Sequence, residues 1–247
     1  MTLSQSVLLA VLSALFTWGV VYCIRLLSQK IGLIQHPNER SSHVIPTPHG
    51  GGLGIVLTSS IYGVWLVIHN GEAPAGAGMI VFLSTMLAIV GLLDDKFHLS
   101  ASLRLLIQSF LCAGLLFWFT ENSINLILAI LITICLIAAI WWINLFNFMD
   151  GIDGYAATQC IVACASAALL AWGQGAAGHY LLFCLLLAAA QVGFLFWNWP
   201  TARLFMGDAG SIPTGFLLGA LALLGQAQGY LPLTCWLILL AVFITDA

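Results

Sequence analysis

Long apolar runs separated by short polar breaks dominate this chain of 247 residues. A helix needs about 20 apolar residues to cross the hydrocarbon core of a bilayer. Nine runs approach that length and are predicted to span a membrane, at residues 5–27, 51–69, 78–93, 103–120, 124–143, 155–172, 178–197, 211–226 and 231–247. No long polar insertion separates these runs. The pattern predicts a single all-α polytopic membrane domain over residues 1–247.

Composition supports this class of protein. The chain is 62% hydrophobic and 6% charged, whereas a soluble domain carries about 25% charged residues. Its formal net charge of −3 gives no reason to expect a nucleic-acid partner. The seven cysteines form no CxxC pair and lie within apolar runs, which indicates buried free thiols rather than disulfides or a zinc site.

The charged residues are distributed unevenly between the two predicted membrane faces. The odd-numbered gaps and the helix ends beside them contain every cation: Arg25, Lys30, Arg40, Lys96, Arg104 and Arg203. Two of the even-numbered gaps contain Glu72 and Glu121, and none of them contains Lys or Arg. Because cytoplasmic loops are enriched in Lys and Arg, the odd-numbered gaps are predicted to be cytoplasmic and the N-terminus to be outside. Five carboxylates fall on the same predicted face: Asp94, Asp95, Asp150, Asp153 and Asp208.

The stretch 144–154, NLFNFMDGIDG, has the strongest chemical pattern in the chain. Its polar side chains recur at every third position, which places them on a slanting stripe of a helix: Asn144, Asn147, Asp150 and Asp153. Gly151 and Gly154 permit close approach of a ligand to the backbone. The pattern predicts a site for a metal or a phosphate ester. The alternative is a helix end with Asp-Gly turn chemistry.

Two further gaps contain groups that suit phosphate. The stretch 36–54, HPNERSSHVIPTPHGGGLG, supplies Arg40 and His43 as donors and a glycine run before a helix, where free N–H groups favour anions. Asp94 and Asp95 end the third run, and Arg104 follows near the start of the fourth. The alternatives are a connecting loop for the first stretch and a solvated charge pair for the second.

The last polar stretch, NWPTARLFMGDAGS at 198–211, places Asp208 between glycines ahead of a predicted helix. Asp208 is a hard oxygen ligand, Ser211 is predicted to cap the helix, and Phe205 is an aromatic that could stack on a base. Carboxylates of this kind suit Mg²⁺ and phosphoryl transfer. The alternative is a glycine-rich turn before a capped helix.

Four strings together resemble one family. PNERSSHVIPTPHGGGLGI, GLLDDKFHLSASLRLLIQ, NLFNFMDGIDGYAATQ and NWPTARLFMGDAGS are similar to the polyprenyl-phosphate N-acetylhexosamine-1-phosphate transferases of glycosyltransferase family 4. These enzymes are relatives of phospho-N-acetylmuramoyl-pentapeptide transferase. The first string is most similar to the bacterial branch that initiates O-antigen synthesis.

The resemblance implies the reaction and its surroundings. It implies transfer of an N-acetylamino-sugar 1-phosphate from a UDP-sugar to undecaprenyl phosphate, with release of UMP and with Mg²⁺, or alternatively Mn²⁺, as cofactor. It places the protein in the bacterial inner membrane, among membrane lipids, with its active site facing the cytoplasm. A homodimer is compatible with it.

The resemblance also assigns roles to residues of this chain. The implied catalytic residues are Asp94, Asp95 and Asp208, and the implied metal ligands are Asp208 and Asp94. The implied substrate-binding residues are Arg40, His43, Asn147, Asp150, Gly151, Asp153, Asn198, Phe205 and Arg104. In muramoyl transferases a Lys precedes the Pro-Thr-x-Gly-Gly element. Here only His43 and Arg40 are near that position.

The end of the chain departs from the family pattern. Family members continue with a cytoplasmic loop rich in His and basic residues and then with further spans, whereas this chain ends at Ala247. On this ground the sequence predicts a truncated form with little or no transferase activity. This form would be a catalytically impaired homologue, and two other functions stay open, namely a lipid-binding scaffold descended from such an enzyme and an ion-coupled transporter. Transporters place acidic residues near the bilayer midplane, whereas these aspartates lie at predicted helix ends.

Overall fold

The computed structural model describes residues 3–35, 46–69, 76–120, 126–175 and 178–246. These ranges contain ten helices and two short antiparallel strands. The elements in chain order are α1 (Leu3–Ile31), β1 (Ile34–Gln35), β2 (Thr47–Pro48), α2 (Gly52–His69), α3 (Ala77–Phe97), α4 (Ala101–Trp118), α5 (Leu126–Met149), α6 (Tyr155–Gly173), α7 (His179–Asn198), α8 (Asp208–Ala227), α9 (Leu233–Leu239) and α10 (Ala241–Asp246).

Seven of the described helices, α1 and α3 to α8, are long and apolar enough to cross a membrane. The apolar part of α2, Gly52–Trp65, is shorter. The prediction of an all-α polytopic membrane protein is confirmed.

The predicted ninth span is wrong as one continuous helix. Residues 231–247 contain α9 and α10, with Leu240 between them. Gln159 of α6 donates a hydrogen bond to the Leu239 carbonyl (2.6 Å). Beyond the break, Phe243 is fully buried against Phe146 and Tyr155. These tertiary contacts favour the bend, and an apolar run in the sequence carries no sign of them.

Several helices extend past the apolar runs that predicted them. Helix α3 continues to Phe97, so Asp94 and Asp95 lie in its last turn, and α5 continues to Met149. Helix α8 begins at Asp208 rather than at residue 211. The prediction that Ser211 caps α8 is therefore wrong, because its hydroxyl instead donates to the Gly207 carbonyl (3.1 Å). Polar side chains that find partners beside the membrane allow a helix to continue beyond its apolar part.

Helix α8 lies at the centre of the bundle and is the most buried of the candidate spans. It packs against α2, α3 and α5, and glycines permit the closest of these approaches. A methyl group added at Gly91 would overlap the backbone of Asp208, and one added at Gly52 would overlap Gly210. The indole N–H of Trp142 also donates to the Gly215 carbonyl (2.9 Å), which joins α5 to α8. The start of α8 is thereby held close to α2 and α3.

Candidate functional site

The glycine run before α2 lies against the segment that precedes α8. The N–H groups of Gly51 and Gly52 donate to the carbonyls of Phe205 and Met206, at 2.9 Å in each case. The N–H of Phe205 donates to the Pro48 carbonyl, also at 2.9 Å. These bonds bring the first and the last of the four sequence motifs together.

The turn after α5 is tied to the same segment by two polar side chains. Asp153 accepts a hydrogen bond from the N–H of Ala202 (2.9 Å). The buried Asn198 accepts from the N–H of Gly154 (2.9 Å) and donates to the Leu204 carbonyl (3.1 Å). Both side chains therefore hold two loops in place. Their predicted contact with a substrate stays a prediction.

A cluster of charged and polar side chains forms where α3, α4, α5 and α8 meet. Arg104 donates through Nη1 to Asp94 Oδ2 (2.6 Å) and lies 3.3 Å from Asp208 Oδ2. Asn147 donates to the other oxygen of Asp208 (3.0 Å). Asp94 is only 6% exposed, and its second carboxylate oxygen accepts a hydrogen bond from the N–H of Leu99 (2.8 Å). Residues from three sequence motifs thus converge around Arg104 and Asp208.

Asp95 has a different position from its neighbour. Its two carboxylate oxygens accept the N–H groups of Asp208 (3.0 Å) and Ala209 (3.1 Å). These N–H groups begin α8 and have no partner within the helix, and the positive end of the helix dipole favours the carboxylate. Asp95 therefore caps the helix that carries Asp208.

His49, which the sequence analysis did not select, lies beside this cap. Its Nδ1 is 3.8 Å from Asp95 and is buried without a hydrogen-bond partner among the described residues. Burial lowers the pKa of His49, and the nearby His98 lowers it further, while Asp95 opposes the shift. Its position directly before the glycine run was the only sequence signal that could have identified it.

The different partners of the two adjacent aspartates predict different mutant phenotypes. Asp94→Asn is expected to reduce turnover, because it removes the charge that holds Arg104 beside Asp208. Asp95→Asn is expected to reduce the free energy of unfolding by about 1 kcal/mol, the usual contribution of a helix cap. We expect the two turnover rates to differ by at least about tenfold, or about 1.4 kcal/mol. Initial rates and thermal midpoints of both variants test this expectation, and equal losses in both measurements would contradict it.

Asp150 follows α5 and is half-buried. The pKa of its carboxyl is raised well above 3.8, mainly by burial and further by the like charges of Asp208, Asp95 and Asp153. The Asp150 carboxyl therefore binds a proton more tightly in the folded protein than in the unfolded chain. The resulting stabilisation is complete below the ordinary pKa and is lost as the pH rises towards the raised value.

This shift predicts the effect of Asp150→Asn on stability. The variant should have a higher thermal midpoint than the parent at neutral pH, because it cannot carry the buried charge. The difference should shrink as the pH falls towards about 4, where the parent carboxyl is neutral. Thermal unfolding in detergent with EDTA, across this pH range, measures both effects. Asp246→Asn, at an exposed carboxylate, is the control, and a midpoint at neutral pH no higher than that of the parent would contradict the expectation.

The remaining predicted residues are less closely associated with the cluster. Gly151 is exposed, and Phe205 is half-buried on the loop that pairs with β2. Arg40 and His43 lie outside the described residues, so their predicted contacts stay predictions.

The carboxylate oxygens of the cluster are of the type that a hard cation prefers as ligands. Oxygens of Asp94 and Asp208 converge on the same positively charged nitrogen. Mg²⁺ commonly binds one or two carboxylates and completes its shell with water and phosphate oxygens. No group of three or more His, Cys, Asp or Glu in the described part of the chain is arranged to hold a metal. A Mg²⁺ ion here would therefore require further oxygens from water or from a phosphate ligand.

An apolar cavity of about 260 Å³ lies between helices that also contribute to this cluster. Its walls come from α4, α5, α8, α9 and α10, and include Cys112, Ile143 and Gly215. Cys112 is one helical turn from Gln108, whose side chain accepts a hydrogen bond from Asn144 (2.8 Å). Ile143 is one turn from Asn147. The cavity thus approaches the polar cluster along two helices.

Comparison with known proteins decides the family. The model of glycosyl transferase family 4 matches residues 77–226, more than half of the chain. The chain belongs to this family. The resemblance found in the sequence is confirmed, and the matched family region contains both aspartates of α3, the turn after α5 and the start of α8.

Individual members of the family align over most of this chain. The "Probable undecaprenyl-phosphate N-acetylglucosaminyl 1-phosphate transferase" of Bacillus subtilis (strain 168) is 31% identical over 217 residues, which is 82% of this chain and 58% of that protein. The decaprenyl-phosphate N-acetylglucosaminephosphotransferase of Mycobacterium tuberculosis (strain ATCC 25618 / H37Rv) is 30% identical over 247 residues, covering 88% and 60%. The phospho-N-acetylmuramoyl-pentapeptide-transferase of Geobacillus thermodenitrificans (strain NG80-2) is 28% identical over 202 residues, covering 74% and 62%. The chain therefore spans between 58% and 62% of the length of these three family members.

Proposed function

We propose that this protein transfers an N-acetylamino-sugar 1-phosphate from a UDP-sugar to undecaprenyl phosphate and releases UMP. The convergence of Asp94, Arg104, Asn147 and Asp208 at the ends of membrane helices is the observation that carries the proposal. The names of the family members supply the class of reaction, and N-acetylglucosamine is the first sugar to test. The step would begin the synthesis of an O-antigen or another cell-surface polysaccharide at the bacterial inner membrane.

The site suits one lipid substrate and one soluble substrate. The apolar cavity offers walls for a polyprenyl chain, and its distance of one helical turn from Gln108 and Asn147 would bring the lipid phosphate towards the charged cluster. The nucleotide-sugar would approach from the aqueous side, along the loops that contain Gly151 and Phe205. Both phosphate groups would then meet at Asp208.

The reaction exchanges one phosphoanhydride bond for another. An oxygen of the lipid phosphate attacks the β-phosphorus of the UDP-sugar, and the bond from that phosphorus to the bridging oxygen breaks. The electron pair leaves with UMP, and the product is a polyprenyl diphosphate sugar. Bound Mg²⁺, or alternatively Mn²⁺, would neutralise charge on the non-bridging phosphate oxygens.

The residues of this chain would perform the positioning. Arg104 can donate hydrogen bonds to a phosphate as it does to Asp94, because its guanidinium presents several N–H groups in a planar array. Asn147 orients the Asp208 carboxylate, and Asp95 holds the first turn of α8 in place. Asp94 and Asp208 are the residues that would hold the cation.

A doubly labelled donor tests the proposed reaction. Membranes containing the protein would be supplied with undecaprenyl phosphate and a panel of UDP-sugars that carry ¹⁴C in the sugar and ³²P at the β-phosphate. Both labels should enter the lipid extract in equal amounts, and UMP should be released. Transfer of the sugar label alone, with release of UDP, would contradict phosphosugar transfer. No transfer from any donor would contradict activity of this chain and support the catalytically impaired homologue.

The proposed orientation predicts the accessibility of three loops. Single cysteines at Lys96, Ile152 and Arg203, in a background without native cysteines, should be protected from an impermeant thiol reagent in intact cells. They should react in inside-out vesicles. A cysteine at the exposed Gln174, which follows α6 at the opposite face, should show the reverse pattern. Labelling of any of the first three positions from outside the cell would overturn the orientation.

A further inference from the structure

A second cavity, of about 510 Å³, lies at the C-terminal end of α7. It is lined by Val192 and Phe196 of α7 and by Trp199, Thr201 and Arg203 of the following loop. The proposed reaction uses none of these side chains. We call this cavity the α7 pocket.

The walls of the α7 pocket are polar and apolar in about equal parts, and three of the apolar side chains are exposed. Val192 is 49% exposed, Phe196 is 61% exposed and Trp199 is 62% exposed. Arg203 is exposed as well, and the ion pairs among the described residues do not include it. The α7 pocket therefore combines an apolar wall with one positive charge that no described carboxylate neutralises.

Neighbouring aromatic side chains mark the depth of the α7 pocket in the membrane. Trp18 and Tyr22 of α1 both pack against Trp197, with ring centroids 5.6 Å and 5.7 Å away. The guanidinium of Arg25 lies 5.5 Å from the centre of the Trp197 ring. Clusters of Trp and Tyr beside cations are typical of the boundary between hydrocarbon and head groups. This boundary would set the apolar wall of the α7 pocket on the hydrocarbon side and Arg203 on the head-group side.

We propose that the α7 pocket binds an anionic phospholipid of the leaflet in contact with the charged cluster. Arg203 would bind the phosphate of the head group, and an acyl chain would lie along Val192 and Phe196. A soluble phosphate would leave the apolar wall without a partner. An apolar protein segment would leave the charge of Arg203 unpaired in a desolvated interface, which is costly. A phospholipid supplies a phosphate for Arg203 and an acyl chain for the apolar wall.

Such a lipid would contact the segment that leads to Asp208. The N–H of Arg203 donates to the Trp197 carbonyl (2.8 Å), and the preceding residue, Ala202, donates to Asp153. Bound lipid would therefore brace this loop from the membrane side. The binding itself does not depend on the proposed reaction, so it can be tested without measuring turnover.

Lipid retention by the purified protein tests the proposal. The protein would be reconstituted into nanodiscs of phosphatidylglycerol and phosphatidylcholine in equal amounts, extracted in mild detergent, and analysed by mass spectrometry for the lipids that remain bound. We expect phosphatidylglycerol to be enriched over phosphatidylcholine by about fivefold, the effect of one cation near the head groups. Arg203→Gln should abolish this enrichment. Lys30→Gln removes another exposed cation from the end of α1 and should leave the enrichment intact.

A second variant tests the cavity rather than the charge. Val192→Trp would fill the apolar wall and should reduce the retention of phosphatidylglycerol while Arg203 stays in place. Equal retention of both lipids by the parent would overturn the proposal, and so would unchanged enrichment in Arg203→Gln or in Val192→Trp. An equal loss in Lys30→Gln would indicate diffuse attraction to the membrane surface. Displacement of phosphatidylglycerol by equimolar undecaprenyl phosphate would instead assign the α7 pocket to the acceptor lipid. Each of the last two results would also contradict the proposal.

Discussion

Asp208→Asn is expected to lower turnover by about a thousandfold, or about 4 kcal/mol of transition-state stabilisation. Asp208 is the one residue of the cluster that contacts both Arg104 and Asn147. The substitution keeps the size of the side chain and removes the charge that a hard cation requires. The folded protein should be at least as stable as the parent, because one carboxylate leaves a region that also contains Asp94, Asp95 and Asp150.

Two measurements separate this effect from misfolding. The first is sugar-phosphate transfer at saturating substrate and Mg²⁺, where the loss should appear mainly in kcat. The second is the increase in thermal midpoint on addition of Mg²⁺ with a UDP-sugar, which the parent should show and the variant should lack. Asp246→Asn changes an exposed carboxylate that hydrogen-bonds Tyr155 and should behave like the parent in both measurements. Near-normal turnover in Asp208→Asn would show that this carboxylate is not required.

Gly91→Ala is expected to reduce the free energy of unfolding by about 3 kcal/mol, the upper part of the range for overpacked positions. A methyl group at Gly91 would overlap the carbonyl group of Asp208 and the N–H of Ala209. Both neighbours are backbone atoms at the start of a helix, so no side chain can rotate to make space. Helices α3 and α8 would have to move apart, and Asp95 would lose its bonds to the first turn of α8.

Gly114→Ala is the matched control for this prediction. Gly114 lies in α4, and a methyl group there would have no neighbour within 4 Å. We expect Gly114→Ala to keep the parent midpoint and Gly91→Ala to unfold at lower temperature with reduced recovery as a single species on gel filtration. Equal midpoints for the two variants would show that α3 and α8 do not approach each other as closely as described.

The sequence determined the class of protein and most of the residues that meet in the cluster. Apolar runs predict membrane helices well, because the bilayer requires a continuous apolar surface and internal backbone hydrogen bonds. The same runs predicted where Asp94, Asp150 and Asp208 would lie, namely at helix ends on one face. The four motif strings then indicated the family through their resemblance to its members.

Only the tertiary structure decided which partner each of these side chains contacts. Asp94 and Asp95 are neighbours of the same type in the sequence, yet one binds Arg104 and the other caps α8. The break at Leu240, the loop contacts of Asn198 and the position of His49 likewise depend on residues distant in the chain. Periodicity and composition report the environment of a residue averaged over its near neighbours. The partner of a single hydrogen bond is set by the packing of whole helices and appears only once the chain is folded. The close approach of Gly91 to the backbone of Asp208, for example, holds α3 beside the first turn of α8, which Asp95 caps.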